Sequence, residues 1–212
     1  INLCHISCIE IYSLIAKAIN QNSNLKITFE ITPHHLLLSN KINLKNVNFG
    51  KVLPPLRDKP HPQFLYNKLK EGKIQYIATD HAPHTLKEKS NKYIQSPSGF
   101  PGFETYPLML LNSVCHYELD LATFVKISSE NPAILFNLKK KGFIKIGYAA
   151  DLIIIDKISE YSINPENFKT KAKFSPFEGF KTSVQIWKVI VGGYEINYNN
   201  SKPSGKIIKR SI

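Results

Sequence analysis

The sequence predicts an α/β fold. Strand-like apolar runs alternate with helix-spaced segments, polar and titratable residues gather just after each run, and the texture changes from Gly142 onward. The first two observations imply parallel strands whose chemistry collects at their carboxyl ends, as in an α/β barrel or an open α/β sheet. The third implies a separate small β module. The expected domains are therefore residues 1–141 and 142–212.

Ile1 to Ser7 is a short apolar run that gives way to Ile9, Ile11, Leu14, Ile15, Ala18 and Ile19, the spacing of one helix face. Leu25 to Thr32 alternates β-branched and aromatic residues until Pro33, which cannot donate to a strand ladder. Phe64 to Lys70 reads as helix, and Ile74 to Thr79 as a buried strand that ends on Asp80. The long loop from Ala82 to Gly102 contains Pro83, Pro97, Gly99, Pro101 and Gly102; a loop of that length in a compact domain is usually functional or disordered. Helices are predicted for Tyr106 to Tyr117, for Leu121 to Ser128 with Asp120 as N-cap, and for Ala133 to Leu138 with Pro132 in the first turn. Residues 141–156 and 184–198 alternate as strands do, and Lys202 to Ile212 reads as a basic, frayed tail.

Composition removes several classes of function. With 42% hydrophobic residues in 212, the chain can build a real core, yet it contains no charge-free apolar run of about 18 residues that would span a membrane. The opening segment has Glu10 and Lys17 among its apolar residues and no basic leader, so it does not read as a signal peptide. It does not begin with Met either, and it reads as cut from a longer chain. Cys4, Cys8 and Cys115 are too few and odd in number for a disulfide framework, which points to a reducing, cytoplasmic setting. The net charge of +12 arises from 28 Lys and Arg against 16 Asp and Glu. Its lysines are scattered, only Lys139, Lys140 and Lys141 being adjacent, so a solvated basic surface explains them better than a nucleic-acid partner. An anionic small-molecule substrate suits the sign.

The strongest local pattern is Asp80-His81-Ala82-Pro83-His84. An Asp at the carboxyl end of a buried parallel strand can bind a divalent metal and take a proton from water; the plain alternative is a cap on the following loop. His5 ends the first run, where a lone imidazole is either a metal ligand or a satisfied core residue. Cys4 and Cys8 read as buried thiols, because no second pair completes a zinc site. If Thr32 to His35 is extended, His34 and His35 point opposite ways and at most one faces the centre. Arg57, after a double proline, suits either a substrate carboxylate or a structural ion pair. The segment from Pro97 to Gly102 could offer backbone N–H groups to an anion, although any tight loop does so.

In order along the chain, CHIS (4–7), EITPHHLLL (30–38), KVLPPLR (51–57), ATDHAPHTLKEK (78–89), PSGFPGFETYPLMLL (97–111), ENPAILFNL (130–138), GYAADLIIID (147–156) and SPFEGFK (175–181) resemble the dihydroorotases of the long, type I kind. The strand-end His and Asp are shared across the wider amidohydrolases, whereas DHAPHT followed by PSGFPGFET is more specific. The resemblance implies a (β/α)8 barrel, of which this chain would hold roughly strands six to eight, followed by part of a small β-sandwich. It implies reversible cyclisation of N-carbamoyl-L-aspartate to L-dihydroorotate in pyrimidine biosynthesis. It also implies a zinc pair, with His5 and Asp80 as ligands and Asp80 as the catalytic base and acid. His84 would contact the substrate carboxylate, with Ser98 and Gly99 beside the substrate. The implied partners are the small-molecule substrate, further copies of the chain and, as a candidate, aspartate transcarbamoylase.

Two departures matter. The family often carries Asn before the double proline, where it touches substrate; here the position is Leu53, which can make no such hydrogen bond. The chain also has no His-x-His pair, so the remaining zinc ligands would lie in a part of the barrel it does not contain. An opened barrel would then expose the apolar faces of Ile1 to Ile6 and Ile74 to Ile77. The rival readings are a dihydropyrimidinase- or allantoinase-like hydrolase, and a silent homologue that serves as a scaffold for aspartate transcarbamoylase.

Overall fold

Three short parallel strands form the layer that carries the titratable residues. A computed structural model describes residues 1–22 and 24–197. In it Asn2–Leu3 (β1), Thr28–Ile31 (β2) and Tyr76–Ile77 (β3) pair in that order, Leu3 opposite Phe29 and Ile31 opposite Ile77. Each strand is shorter than its apolar run. At two of the ends the reason is local: His5 and Asp80 adopt left-handed backbone, with φ of 42° and 48°, and turn the chain out of the sheet.

Helices follow the strands, as the alternation predicts. They are Ile9–Gln21 (α1), Pro33–Leu37 (α2), Pro60–Lys70 (α3), Leu86–Lys89 (α4), Tyr106–Cys115 (α5), Leu121–Val125 (α6) and Asn131–Leu135 (α7). His61 supplies the start of α1, its Nδ1 accepting the Ile9 N–H at 3.2 Å. Asp120 caps α6 as expected, accepting from Thr123 N at 2.8 Å. A π-turn over Lys126–Glu130 then runs directly into α7. Pro33 does more than stop a strand: its fixed φ suits the first helical position, and α2 begins there. His34 and His35 are therefore helical neighbours, about 100° apart rather than opposed. Both are buried, which overturns the expectation that only one turns inward.

Residues two apart along β2 share a face, so Phe29 and Ile31 join Ile77 beneath the helices. Ile15 of α1, Leu65 and Leu69 of α3 and Leu110 of α5 close over them, each fully or almost fully buried. Each such side chain contributes about 1.5–3 kcal/mol of apolar burial. The opposite face is polar. There the Tyr76 hydroxyl lies 2.7 Å from Glu30 Oε2 and 2.8 Å from Asn2 Oδ1, and the Thr28 hydroxyl donates to the same Asn2 oxygen at 2.8 Å. Burial, with Glu30 beside it, pushes the Tyr76 phenol up, so it remains a donor. The expected apolar exposure is thus wrong for Ile6, Ile74 and Ile77, which are buried; only Ile1 is open. The polar side is the less covered one: Asn2 is exposed and Thr28 and Glu30 partly so, although Tyr76 is buried against Phe136.

The second module is antiparallel: Leu152–Ser162 (β4), Lys181–Val191 (β5) and Tyr194–Glu195 (β6), in that order. It begins later than the alternation suggests. Residues 143–146 are not strand, and Ile144 and Ile146 are 92% and 102% exposed. Asn112 of α5 joins the modules by accepting the Ser183 N–H at 2.9 Å. Cys8 is buried as expected, but Cys4 is exposed, on the less covered side of the sheet. No described helix is long and apolar enough to cross a membrane. Lys202 to Ile212 lies outside the described residues.

Candidate active site

Parallel pairing puts the ends of β1, β2 and β3 on one rim, and the titratable residues follow at once. His5 and Asp80 leave β1 and β3 in left-handed conformations, which β-forming residues avoid and which cluster where function over-determines the backbone. His5 Nδ1 and His34 Nε2 are buried without a hydrogen-bond partner. His5 and His35 stand close enough to His34 to add to the effect of burial, which holds the His34 imidazole well below its ordinary range. Burial likewise pushes His35 down to about 4. Both imidazoles are therefore neutral at physiological pH.

His35 is fully committed. Its Nδ1 lies 2.7 Å from Thr32 Oγ1, and its Nε2 lies 3.0 Å from the carbonyl oxygen of Pro54. A carbonyl only accepts, so Nε2 carries the proton, and His35 pins the double-proline turn to the rim. Leu53 opens that turn through a cis peptide bond to Pro54, and its side chain is 67% exposed. Arg57 Nε donates to Ser7 Oγ at 3.4 Å, beside the end of β1.

The loop after β3 is folded back on itself. His81 Nδ1 accepts the N–H groups of Gly102 and Phe103 at 3.0 and 3.2 Å, and its ring stacks on Phe103 with centroids 3.9 Å apart. His81 is a structural residue. His84 Nε2 meets the Ser98 carbonyl at 3.1 Å, so the structure brings together two residues expected at the substrate. Gly99 N–H donates to the Lys51 carbonyl at 2.9 Å, and Gly102 N–H is held by His81. The anion-binding role imagined for these two N–H groups is therefore ruled out; both are already bonded. Gly99 has a different reason to be glycine. Its φ is +115°, and a Cβ there would meet Ala82 Cβ at 2.5 Å. Gly99→Ala should destabilise the loop by about 1–3 kcal/mol, read as a drop in melting temperature and faster cleavage by protease in residues 82–102.

The donor set for zinc is incomplete. His5 offers an unpartnered buried nitrogen and Asp80 a carboxylate on the same rim, but among the described residues no three His, Cys, Asp or Glu side chains converge. A catalytic zinc takes three protein ligands. The residues present do not make such a centre by themselves.

Sequence reasoning missed the residues that brace the rim. His35 as anchor of the double-proline turn, and Asn48, Lys51 and Lys89 around residues 89–97, all act through backbone carbonyls. No spacing rule reports such contacts.

Comparison with known proteins agrees with this geometry. A model described as "Amidohydrolase family" matches residues 13–202. A dihydroorotase of Methanosphaera stadtmanae is 41% identical over 84% of this chain and 40% of its own length. One from Pyrococcus horikoshii is 36% identical over 98% and 48%, and one from Bacillus cereus is 41% identical over 91% and 44%. The chain thus spans less than half the length of these curated relatives. Among solved structures, a D-hydantoinase from a Bacillus species matches with TM-score 0.83 and 27% identity, covering 92% of this chain and 44% of its own. An L-hydantoinase (dihydropyrimidinase) from Arthrobacter aurescens matches with TM-score 0.82, 27% identity and the same coverage.

Proposed function

This chain belongs to the amidohydrolase family, and on that premise we propose that it is the site-bearing part of a dihydroorotase, closing N-carbamoyl-L-aspartate to L-dihydroorotate and reopening it. The observation that carries the reading is one rim on which His5 and Asp80 leave the two outer strands of the parallel sheet, β1 and β3, in left-handed backbone, with the paired His84 and Ser98 on the loop that follows. The relatives named dihydroorotase, at 36–41% identity, support the substrate.

In the ring-opening direction, water adds to the ring carbonyl that lies between a ring nitrogen and the ring methylene. Asp80 takes the proton from that water and returns it to the ring nitrogen as the C–N bond breaks; cyclisation is the reverse. His84 binds the substrate carboxylate in this reading by turning an N–H away from a protein partner, since its Nε2 now meets the Ser98 carbonyl and its Nδ1 lies 3.9 Å from Glu88 Oε2. Ser98 and Gly99 form the wall of the pocket, and Leu53 contributes shape but no hydrogen bond. Zinc belongs to this proposal only with donors beyond His5 and Asp80. The complete site, in this reading, takes its remaining donors from the length of the relatives that this chain does not span.

His84→Ala in the complete enzyme should raise KM for dihydroorotate about tenfold while leaving metal content unchanged, because a carboxylate contact serves ground and transition states alike. Loss of bound metal would make His84 a ligand and overturn the assignment.

A second reading, hydrolysis of a hydantoin or dihydropyrimidine ring, is favoured by the hydantoinases among the structural matches. Their identity to this chain, 27%, is lower than that of the dihydroorotases. Assaying dihydroorotate, dihydrouracil and hydantoin side by side decides between them: preferential turnover of either of the last two rejects the first reading.

A further inference from the structure

The loop that carries Ser98 and Gly99 is held by two lysines that hydrogen-bond to backbone carbonyls rather than to carboxylates. Lys51 Nζ donates to the carbonyls of Tyr93 at 2.5 Å and Ser96 at 2.6 Å, with that of Ile94 at 3.5 Å. It also sits 4.8 Å from the centroid of the Tyr93 ring. Its own carbonyl accepts the Gly99 N–H at 2.9 Å, so Lys51 grips the loop on both sides of Pro97 and Ser98. Lys89, at the end of α4, is fully buried; its Nζ donates to the Pro97 carbonyl at 2.9 Å and lies 5.6 Å from the Phe174 ring. Asn48 secures the other end, Nδ2 donating to the carbonyls of Lys89 at 2.7 Å and Asn91 at 2.8 Å.

A buried ammonium with only a carbonyl and an aromatic face around it is a poor choice for stability. Burial, with Lys51 nearby, pulls the Lys89 amine down to about 8. Folding therefore disfavours its charge, and this penalty eases as pH rises from about 8 towards the ordinary lysine range. Methionine would fill the same space without that penalty. What methionine cannot do is hold the Pro97 carbonyl, one residue before Ser98.

We propose that Lys51 and Lys89 are positioning residues: they fix the carbonyls of Tyr93, Ser96 and Pro97 in one arc and thereby keep Ser98 and Gly99 against His84 at the site. The inference rests on the reading of Ser98 and Gly99 as substrate neighbours.

The test compares Lys51→Met, Lys51→Arg, Lys89→Met and wild type in the complete enzyme by hydrogen exchange, thermal melting and steady-state kinetics. Both Met variants should speed amide exchange across residues 93–99 about tenfold and raise KM about tenfold, with kcat within about threefold. Lys89→Met should melt no lower than wild type, and Lys51→Arg should restore protection. If Lys89→Met melts lower while exchange and KM stay unchanged, Lys89 is merely structural and the proposal falls. Lys51 is only half-buried, so its Met variant should fold whatever happens at Lys89; unchanged exchange across 93–99 in that variant also overturns the proposal. Should the wild-type enzyme fail to turn over dihydroorotate, the functional reading fails, while the exchange data still decide the clamp.

Discussion

Asp80→Asn in the complete enzyme should lower kcat for dihydroorotate by about 10²–10⁴-fold, the usual worth of a positioned general acid–base. The substitution is unusually clean here. Asp80 sits at φ 48°, a region that Asn tolerates as few other residues do, so the backbone that ends β3 is kept. Shape is nearly preserved, while one acceptor oxygen becomes a donor and the capacity to act as a base is lost. The melting temperature should stay close to that of wild type. Activity within tenfold of wild type would remove Asp80 from the role of base.

The second large effect concerns the 212-residue chain by itself. It should bind well under one zinc per chain and show no turnover of dihydroorotate above background. A longer polypeptide that adds the rest of the relatives' length should restore both. The reason is the donor count: His5 and Asp80 share a rim, but no third His, Cys, Asp or Glu joins them among the described residues. Solubility should also be low, for a reason different from the one the sequence suggests. Ile1 apart, the apolar ends of the parallel strands are covered, whereas Ile144, Ile146, Ile153 and Trp187 of the second module are exposed. Metal analysis and analytical ultracentrifugation check the expectation. A soluble monomer that holds two zinc ions and turns over dihydroorotate would refute it.

Much of the architecture was legible because it rests on periodicity. The strand-helix alternation and the Asp120 cap follow from local spacing or local chemistry, whereas the segment from Ala82 to Gly102, read as one loop, contains α4, begun by a capping box between Thr85 and Glu88. Asp80 and His5 were legible for the same reason: a polar residue at the end of an apolar strand has few places to point. What escaped depends on backbone conformation and on distant carbonyls. The shortness of β1 follows from the left-handed turn at His5, and β-branched runs do not announce where they stop. Pro33 was read as a strand stop when it was equally a helix start, and that single choice misplaced His34 and His35. Lys89 was invisible because lysine is almost never fully buried, so no rule nominates it for the interior.

The polar side of the parallel sheet has a consequence for recognition. Asn2, Thr28, Glu30 and Tyr76 are cross-linked by hydrogen bonds on the less covered side, Tyr76 itself being buried against Phe136. Greasy surfaces gain little by landing there, since stripping water from the Glu30 carboxylate without replacing its bonds is unfavourable. A surface that brings matching donors in the right places gains much more. Such a seam favours contact by fit and polarity over contact by hydrophobic area.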